Sequence, residues 1–163
     1  MVLISEAKTR RQTSAAEALI REYAASPGID LGFESFEQQM AEFPGAYSRP
    51  DGRLLLAIEN GDAIGVVALR RLSEGICEMK RMYVKPEFRG KGIGRMLAER
   101  LIEEARQIGY SRMRLDSRSR LKQAVSLYQS LGFKKIGPYR FNPHKDAVYM
   151  ELKLGKPQPA NDV

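Results

Sequence analysis

The stretch Arg89-Gly90-Lys91-Gly92-Ile93-Gly94 joins a strand-like apolar run to a strongly amphipathic helical pattern. Its glycines leave the backbone without side chains at the point where the strand pattern gives way to the helix pattern. The first turn of a helix exposes N–H groups that have no partner within the helix, together with the positive end of the helix dipole. The stretch therefore predicts a site where the backbone binds an anion such as phosphate.

Two familiar phosphate-binding motifs do not fit this stretch. A P-loop requires Ser or Thr after Gly-Lys, whereas a glycine follows here. The dinucleotide-binding fingerprint lacks its third glycine from either possible start. The spacing that fits is Arg-x-x-Gly-x-Gly on Arg89, Gly92 and Gly94. An isolated match of this kind is equally typical of a flexible turn. Here a strand pattern precedes the match and a helix pattern follows it, and this position favours the anion site.

Length and composition are those of one globular domain. The chain has 163 residues, of which 43% are hydrophobic and 29% are charged. No apolar run approaches the roughly 18 residues of a membrane span. We expect a single domain over residues 1–154 and a disordered tail over residues 155–163. The N-terminus becomes acidic too early for a signal peptide, and the lone Cys77 fits a reducing compartment, so both favour the cytoplasm.

The net charge of +7 favours anionic ligands in general. Basic and acidic residues are interleaved along the chain, so most of them are expected on a solvated surface, and nucleic acid is not an expected partner. Cys77 and His144, the only histidine, have no metal-ligand spacing, and no metal is expected. A Cys–His nucleophilic pair stays open on sequence distance, although nothing places an orienting third group beside it.

Hydrophobic periodicity predicts strands and helices along the whole chain. Strands are expected at residues 2–6, 53–59, 63–71, 76–84, 112–116, 133–136 and 148–154. Helices are expected at residues 14–25, 93–108 and 122–131, with a short helix near Phe36 that begins with a Ser35–Gln38 capping box. Hairpin turns make the middle strands antiparallel, whereas the helix at 93–108 makes strands 76–84 and 112–116 parallel neighbours.

Two more segments accompany the glycine stretch. The preceding strand contains Glu78-Met79-Lys80-Arg81-Met82-Tyr83-Val84, and Tyr128-Gln129-Ser130-Leu131-Gly132-Phe133 follows farther along. The three segments together resemble the GCN5-related N-acetyltransferase (GNAT) superfamily, specifically from Glu78 to Phe133. The resemblance implies the acyl-CoA N-acyltransferase fold. This α/β fold has a mixed sheet of about seven strands, largely antiparallel around a splayed parallel pair, and about four helices.

Acetyl-CoA is the cosubstrate that the resemblance implies. In the family, amides of the glycine loop bind its pyrophosphate, and its pantetheine arm pairs with the splayed strand, here with the backbone of Met82 and Val84. A backbone N–H near Tyr83 or Val84 would serve as oxyanion donor. The implied cofactor-binding residues are Met82, Tyr83, Val84, Arg89, Gly90, Lys91, Gly92, Ile93, Gly94, Arg95, Ser119, Lys122 and Ala124.

One segment departs from the family pattern. Many members carry an asparagine or similar residue where the tyrosine-bearing helix begins, and residues 119–124 contain none. Ser119 or Gln123 could make that contact to the pantetheine arm instead. Three nearby basic residues either meet the 3′-phosphate of CoA or form an exposed basic face: Arg118, Arg120 and Lys122.

The implied reaction is direct attack of a primary amine on the thioester in a ternary complex. The amine is mostly protonated at neutral pH, so a base must take a proton. Glu78 matches the family's base, acting directly or through water; otherwise it is a half-exposed strand residue paired with Lys80 or Arg81. Tyr128 matches the general acid that protonates the leaving thiolate; otherwise its ring packs in the core.

The acceptor is expected between the first helices and the loop before the last strand. Glu34 could attract a cationic amine, Arg140 could hold a substrate carboxylate, and Tyr139 could cover it, although a loop that closes over the core fits equally well. We expect a small-molecule or peptide amine as substrate and no membrane partner, and a homodimer is compatible with the family. The main alternative is a non-catalytic CoA-binding sensor of the same fold, which would need neither Glu78 nor Tyr128.

Overall fold

A seven-stranded mixed sheet organises the structure, a computed structural model that describes residues 1–32 and 35–156. The strands are Val2–Glu6 (β1), Arg53–Glu59 (β2), Asp62–Ser73 (β3), Ile76–Val84 (β4), Arg112–Arg118 (β5), Lys134–Ile136 (β6) and Ala147–Lys153 (β7). The α-helices of the described residues are Arg10–Ala24 (α1), Phe36–Ala41 (α2), Ile93–Ile108 (α3) and Lys122–Ser130 (α4). The strand order is β1-β2-β3-β4-β5-β7-β6, and the predicted fold class is confirmed.

The centre of the sheet opens between β4 and β5. These two strands run parallel and pair from Ile76 with Arg112 to Glu78 with Arg114. Beyond that point they separate, although β4 continues to Val84 and β5 to Arg118. The other neighbouring strands of the sheet are antiparallel. The predicted splayed parallel pair is therefore present, and it leaves a gap in the middle of the sheet.

Helices cover both faces of the sheet. On the first face, α3 and α4 pack in a core that includes Leu97, Leu101 and Met113. On the second face, α1 and α2 pack in a core that includes Ile20 and Val66. Successive side chains of a strand point to opposite faces. The face to which a β4 or β5 side chain points can therefore be deduced from the core in which the adjacent residues of its strand are packed.

The helix after the glycine stretch has the predicted bounds. Its buried residues are Ile93, Leu97, Ala98, Leu101, Ile102 and Ala105. Burial of each large apolar side chain in such a stripe stabilises the fold by about 1.5–3 kcal/mol. The helix begins after Gly92 (φ 80°) and ends at Gly109 (φ 108°), two left-handed positions that glycine adopts without a steric penalty. Packing on the sheet thus fixes where the glycine loop meets the helix.

Some local predictions were wrong. Helix α1 begins at Arg10, four residues before the predicted start, because Thr9 and Gln12 form a capping box. The capping box predicted at Ser35 is absent, since that residue has φ 56° and makes no side-chain capping bond. Residues 157–163 of the predicted tail lie outside the described residues. Within the two described ranges, no helix is long and apolar enough to cross a membrane.

Candidate functional site

The separated ends of β4 and β5 line a cavity of about 200 Å³. Strand β4 contributes residues 79–82, and β5 contributes residues 115–118. Helix α4 supplies Ala124 and Tyr128 from the first face, and Leu121 directly before the helix also lines the cavity. Tyr23 of α1, residues 28–31 after it, and Asn142 and His144 before β7 complete the lining. The cavity therefore passes through the sheet, from α4 on one face to α1 and the loop before β7 on the other.

Strand β4 bends inside this cavity. Its register with β3 shifts between Val66 and Ala68, and Arg81 has φ 61°. Such a left-handed backbone costs a non-glycine residue roughly 1–3 kcal/mol. The guanidinium of Arg81 donates to Oε1 of Gln39 at 2.9 Å and to the hydroxyl of Tyr47 at 3.3 Å, and these contacts hold the bend. The bulge turns β4 away from β5, and no local sequence pattern marks it.

The glycine loop, residues 90–95, presents a row of backbone amides. Met96 makes the first helical bond, to the carbonyl of Gly92 at 3.1 Å. Among the residues that the structure describes, none supplies an acceptor to the N–H groups of residues 90–95. A Cβ built at Gly90 or Gly92 would have nothing within 4 Å. The backbone thus faces open space, as the predicted anion site requires.

Two arginines tie this loop to its surroundings. Nε of Arg89 donates to the carbonyl of Val84 at 2.9 Å, and its guanidinium lies 5.5 Å from the ring centre of Tyr83. Arg95 donates to the hydroxyl of Ser130 in α4. The carbonyl of Val84 is thus already bonded. Of the predicted cofactor-binding residues on β4, Met82 lines the cavity, whereas Tyr83 and Val84 do not.

The side chain of Tyr83 lies on the opposite face from the glycine loop's helix. It packs in the second core, and its hydroxyl donates to Oε2 of Glu22 at 2.6 Å. Burial and that bond to Glu22 raise the pKa of Tyr83 to about 12. Its side chain is therefore a structural link between β4 and α1, which leaves only its backbone for a role towards a ligand.

Tyr128 reaches the cavity from the last turn of α4 and is 7% exposed. Burial raises the pKa of its hydroxyl well above the ordinary value, so the group stays protonated at neutral pH. Gly132, with φ 102°, ends the helix, and the N–H of Phe133 donates to the carbonyl of Tyr128 at 3.0 Å. The Tyr-x-x-x-Gly-Phe segment is therefore a helix end that fixes the tyrosine in the gap.

Glu78 is fully buried and is absent from the cavity lining. Its Oε1 accepts from Nε of Arg70 at 2.8 Å, and its Oε2 accepts from the hydroxyl of Tyr139 at 2.6 Å. The guanidinium of Arg140 forms an ion pair with the same Oε2. The reading of Glu78 as a half-exposed residue paired with Lys80 or Arg81 is wrong, because its partners come from β3 and from the loop before β7.

The same contacts change the interpretation of the residues that were predicted to bind the acceptor. Tyr139 and Arg140, expected to meet a substrate, bind a carboxylate of the protein itself and strap their loop to β4. Burial, followed by the charge of Asp116, raises the pKa of the Tyr139 hydroxyl well above its ordinary value, so it remains a donor. Glu34, the third predicted acceptor residue, lies outside the described residues.

Asp116 and Asn142 were missed by the sequence analysis. Asp116 lines the cavity from β5, and Nδ2 of Asn142 donates to its Oδ2 at 3.2 Å. Oδ1 of Asn142 accepts from the N–H of His144 at 2.9 Å. What marks Asp116 is its position on β5, two residues beyond Arg114, the last β5 residue that pairs with β4. The sequence alone marks it only as the polar end of a strand.

The residues before α4 connect it to neighbouring loops. The N–H of Ser119 donates to the carbonyl of Asp146 at 2.8 Å, and neither Ser119 nor Lys122 lines the cavity, whereas Ala124 does. Arg118 and Arg120 donate to the carbonyl of Gly28 at 3.3 and 3.0 Å. Those two arginines are therefore tied to the segment after α1, while Arg120 and Lys122 are exposed, so both the 3′-phosphate contact and the exposed basic face stay predictions.

A Cys–His pair is not assembled. Cys77 is packed in the first core, and burial raises the pKa of its thiol to about 12. His144 lines the cavity from the loop before β7, where Cys77 does not reach. Within residues 1–32 and 35–156, no cluster of three or more His, Cys, Asp or Glu side chains could hold a metal ion.

Comparison with known proteins gives concordant matches. The model of the acetyltransferase (GNAT) family matches residues 16–133. An uncharacterized N-acetyltransferase of Schizosaccharomyces pombe is 39% identical over 157 residues, covering 95% of this chain and 96% of the relative. A GNAT acetyltransferase structure from Staphylococcus aureus has a TM-score of 0.77 at 20% identity, covering 95% and 100%. The PaiA N-acetyltransferase of Thermoplasma acidophilum, in complex with coenzyme A, has a TM-score of 0.72 at 22% identity, covering 94% and 99%.

Proposed function

We propose, because this chain belongs to the acetyltransferase (GNAT) family, that it transfers an acetyl group from acetyl-CoA to a primary amine by direct attack in a ternary complex. The observation that carries the proposal is the cavity through the sheet. Tyr128 of α4 lines this cavity on the first face of the sheet. The carboxylate of Asp116 and the amide of Asn142 line it on the second face. A donor and an acceptor could therefore meet in the gap from opposite sides.

Acetyl-CoA fits the first face of the gap. The amides of residues 90–95 face open space at the positive end of α3, an arrangement suited to pyrophosphate. The edge of β4 beyond Glu78 has lost its partner strand, so its backbone around Met82 can pair with the amides of a pantetheine arm. The Thermoplasma acidophilum N-acetyltransferase of similar fold is in complex with coenzyme A, which supports CoA as the ligand.

Tyr128 is the proposed general acid. Attack by the amine nitrogen on the thioester carbonyl breaks the C–S bond, and the departing sulfur needs a proton. Tyr128 lines the cavity, and its hydroxyl stays protonated at neutral pH because burial raises its pKa. The same shift makes the phenol a weaker acid, so it suits a proton transfer that accompanies C–S cleavage rather than one that precedes it.

The base role that the family resemblance assigns to Glu78 stays a prediction. Both of its oxygens already accept from Arg70, Tyr139 or Arg140, and the carboxylate does not line the cavity. Water would have to connect it to the acceptor. These contacts equally support a role for Glu78 in holding the loop that covers the acceptor side.

The test is release of free thiol from acetyl-CoA in the presence of an amine panel. The panel contains simple alkyl amines, amino acids that carry one or two carboxylates, and peptides with a free N-terminus or a lysine. Native mass spectrometry of the same preparation measures CoA binding. Turnover on at least one amine supports the enzyme. Bound CoA with no turnover on any amine favours the non-catalytic sensor instead.

A further inference from the structure

We propose that Asp116, rather than Glu78, binds the acceptor's ammonium group and takes its proton. The proposal rests on the proposed acetyl transfer and assigns the second proton-transfer group of that reaction. It starts from a difference between two carboxylates: Asp116 is half-buried and lines the cavity, whereas Glu78 has 0% exposure and does not.

The faces of the sheet place Asp116 on the acceptor side. Met113 and Leu115 of β5 belong to the first core, with α3 and α4. Side chains alternate along a strand, so Asp116 points to the second face. Tyr128 enters the same cavity from α4 on the first face. An acyl group in the gap would therefore have a hydroxyl on its leaving-group side and a carboxylate on its attacking side.

One oxygen of this carboxylate is held and the other is available. Nδ2 of Asn142 donates to Oδ2 of Asp116 at 3.2 Å, and the N–H of His144 donates to Oδ1 of Asn142, which fixes the orientation of the amide. In the part of the chain that the structure describes, no donor pairs with Oδ1 of Asp116. By contrast, both oxygens of Glu78 have partners.

Charged and titratable groups line the same cavity as Asp116 or neighbour it on β7 and in the loop before β7. They are Lys80 and Arg81 on β4, Arg118 on β5, Tyr23 on α1, Asp30 after α1, Tyr128 on α4, Tyr139 and His144 before β7, and Tyr149 on β7. Burial and the charge of Asp116 raise the pKa of Tyr139 and Tyr149. Asp116 also pairs in register with Tyr149 across β5 and β7. An incoming ammonium group would meet the carboxylate at the acceptor end of the cavity.

The proton transfers balance across the reaction. The acceptor arrives as R–NH3⁺, and one proton passes to Oδ1 of Asp116, leaving a neutral amine and a protonated carboxyl group. The nitrogen lone pair forms the C–N bond, the C–S bond breaks with its electron pair on sulfur, and the proton of Tyr128 goes to that sulfur. A second nitrogen proton restores Tyr128 through water, and Asp116 releases the first to solvent. The products are the amide, the thiol and one proton.

The test compares Asp116→Asn and Asp116→Ala with the wild-type protein and with Asp62→Asn, which makes the same charge change at the exposed first residue of β3. Loss of a general base lowers turnover by about 10²-fold or more, so we expect a loss of this size in both Asp116 variants, with unchanged CoA affinity. Added formate should restore part of the turnover of Asp116→Ala, which a merely structural role would not allow. Asp62→Asn should retain wild-type turnover.

Two results overturn the proposal: wild-type turnover in Asp116→Asn, or an Asp116→Ala variant that binds CoA but gains nothing from formate. Thermal unfolding of each variant shows whether it is folded at the assay temperature. A wild-type protein that binds CoA and acetylates no amine would contradict the proposed function instead, so the two failures are distinguishable.

Discussion

The rings of Tyr128 and Phe133 lie 5.8 Å apart at an interplanar angle of 62°, and the backbone joins the same two residues. The N–H of Phe133 donates to the carbonyl of Tyr128, and the N–H of Gly132 donates to the carbonyl of Gln129, both at 3.0 Å. This is a Schellman helix end with its accompanying apolar contact. The helix stop and the position of the tyrosine are therefore one structural feature.

Gly132→Ala should disturb this helix end. The residue has φ 102°, and an added Cβ would lie 3.2 Å from Cδ1 of Leu152. We expect a loss of about 1–3 kcal/mol in the free energy of unfolding and a lower turnover, because the turn that carries Tyr128 shifts. Gly109→Ala is the matched control, since that residue has φ 108° after α3 with nothing within 4 Å of its Cβ. Urea unfolding of both variants should show the larger loss at Gly132.

Tyr128→Phe should separate chemistry from packing. The phenylalanine keeps the ring contact with Phe133 and loses only the hydroxyl of this cavity-lining residue. Removal of a general acid lowers turnover by about 10²-fold, whereas CoA affinity and stability should stay near wild type. Steady-state turnover and calorimetric CoA binding measure the two effects. Parallel losses of turnover and affinity would assign Tyr128 a packing role instead.

Gly92→Val should weaken CoA binding by placing a branched side chain in front of the loop amides. The matched control is Gly61→Val, because both glycines have φ near 80°, nothing within 4 Å of a built Cβ and an exposed position. Each variant should lose stability by about 1–3 kcal/mol through backbone strain. Only Gly92→Val should also lose CoA affinity, measured by titration calorimetry. Equal affinity in the two variants would remove the loop from the binding site.

Much of this fold could be predicted because residues close together in the sequence determine where many of its strands and helices begin and end. Strand β4 and helix α3 have the predicted bounds, since an apolar pattern and a turn residue mark each end. The parallel pairing of β4 with β5 followed from the helix between them. The predicted start of helix α1 was too late because the first turn of the helix, residues 10–12, has no apolar residue.

The parts of the site that escaped prediction depend on distant contacts. The bend of β4 at Arg81 is held by Gln39 and Tyr47, which lie far away in the sequence. Which carboxylate faces the cavity depends on where β4 and β5 separate, and on which loop covers Glu78. A motif can propose Glu78 as a base, but only the assembled sheet shows that Asp116 lies in the cavity lining.

Glu78→Gln should be destabilising in itself. A neutral amide leaves the guanidinium groups of Arg70 and Arg140 without their shared carboxylate, and breaking a buried pair costs about 3 kcal/mol. Glu17→Gln provides the control, since Glu17 forms an exposed pair with Arg21 at 3.4 Å and such pairs contribute about 0–1 kcal/mol. Urea unfolding measures both. Wild-type stability in Glu78→Gln, together with a loss of turnover, would support the predicted base role.

Acid stability should depend on Glu151, which binds Arg112 at 2.9 Å and Arg114 at 2.8 Å and so fastens β7 to the cavity-lining strand β5. Burial opposes its ionisation, but the hydrogen bonds and charges of Arg114 and Arg112 outweigh burial and hold its pKa below the ordinary 4.5. The unfolded chain therefore takes up this proton at a higher pH than the folded protein. The stabilisation is complete above about pH 5 and is lost as the pH falls through the folded pKa. Glu151→Gln should be less stable at neutral pH and should lose less stability on acidification, as measured by urea unfolding from about pH 6 to pH 3. An equally steep loss in wild type and variant would show that other carboxylates control the acid transition.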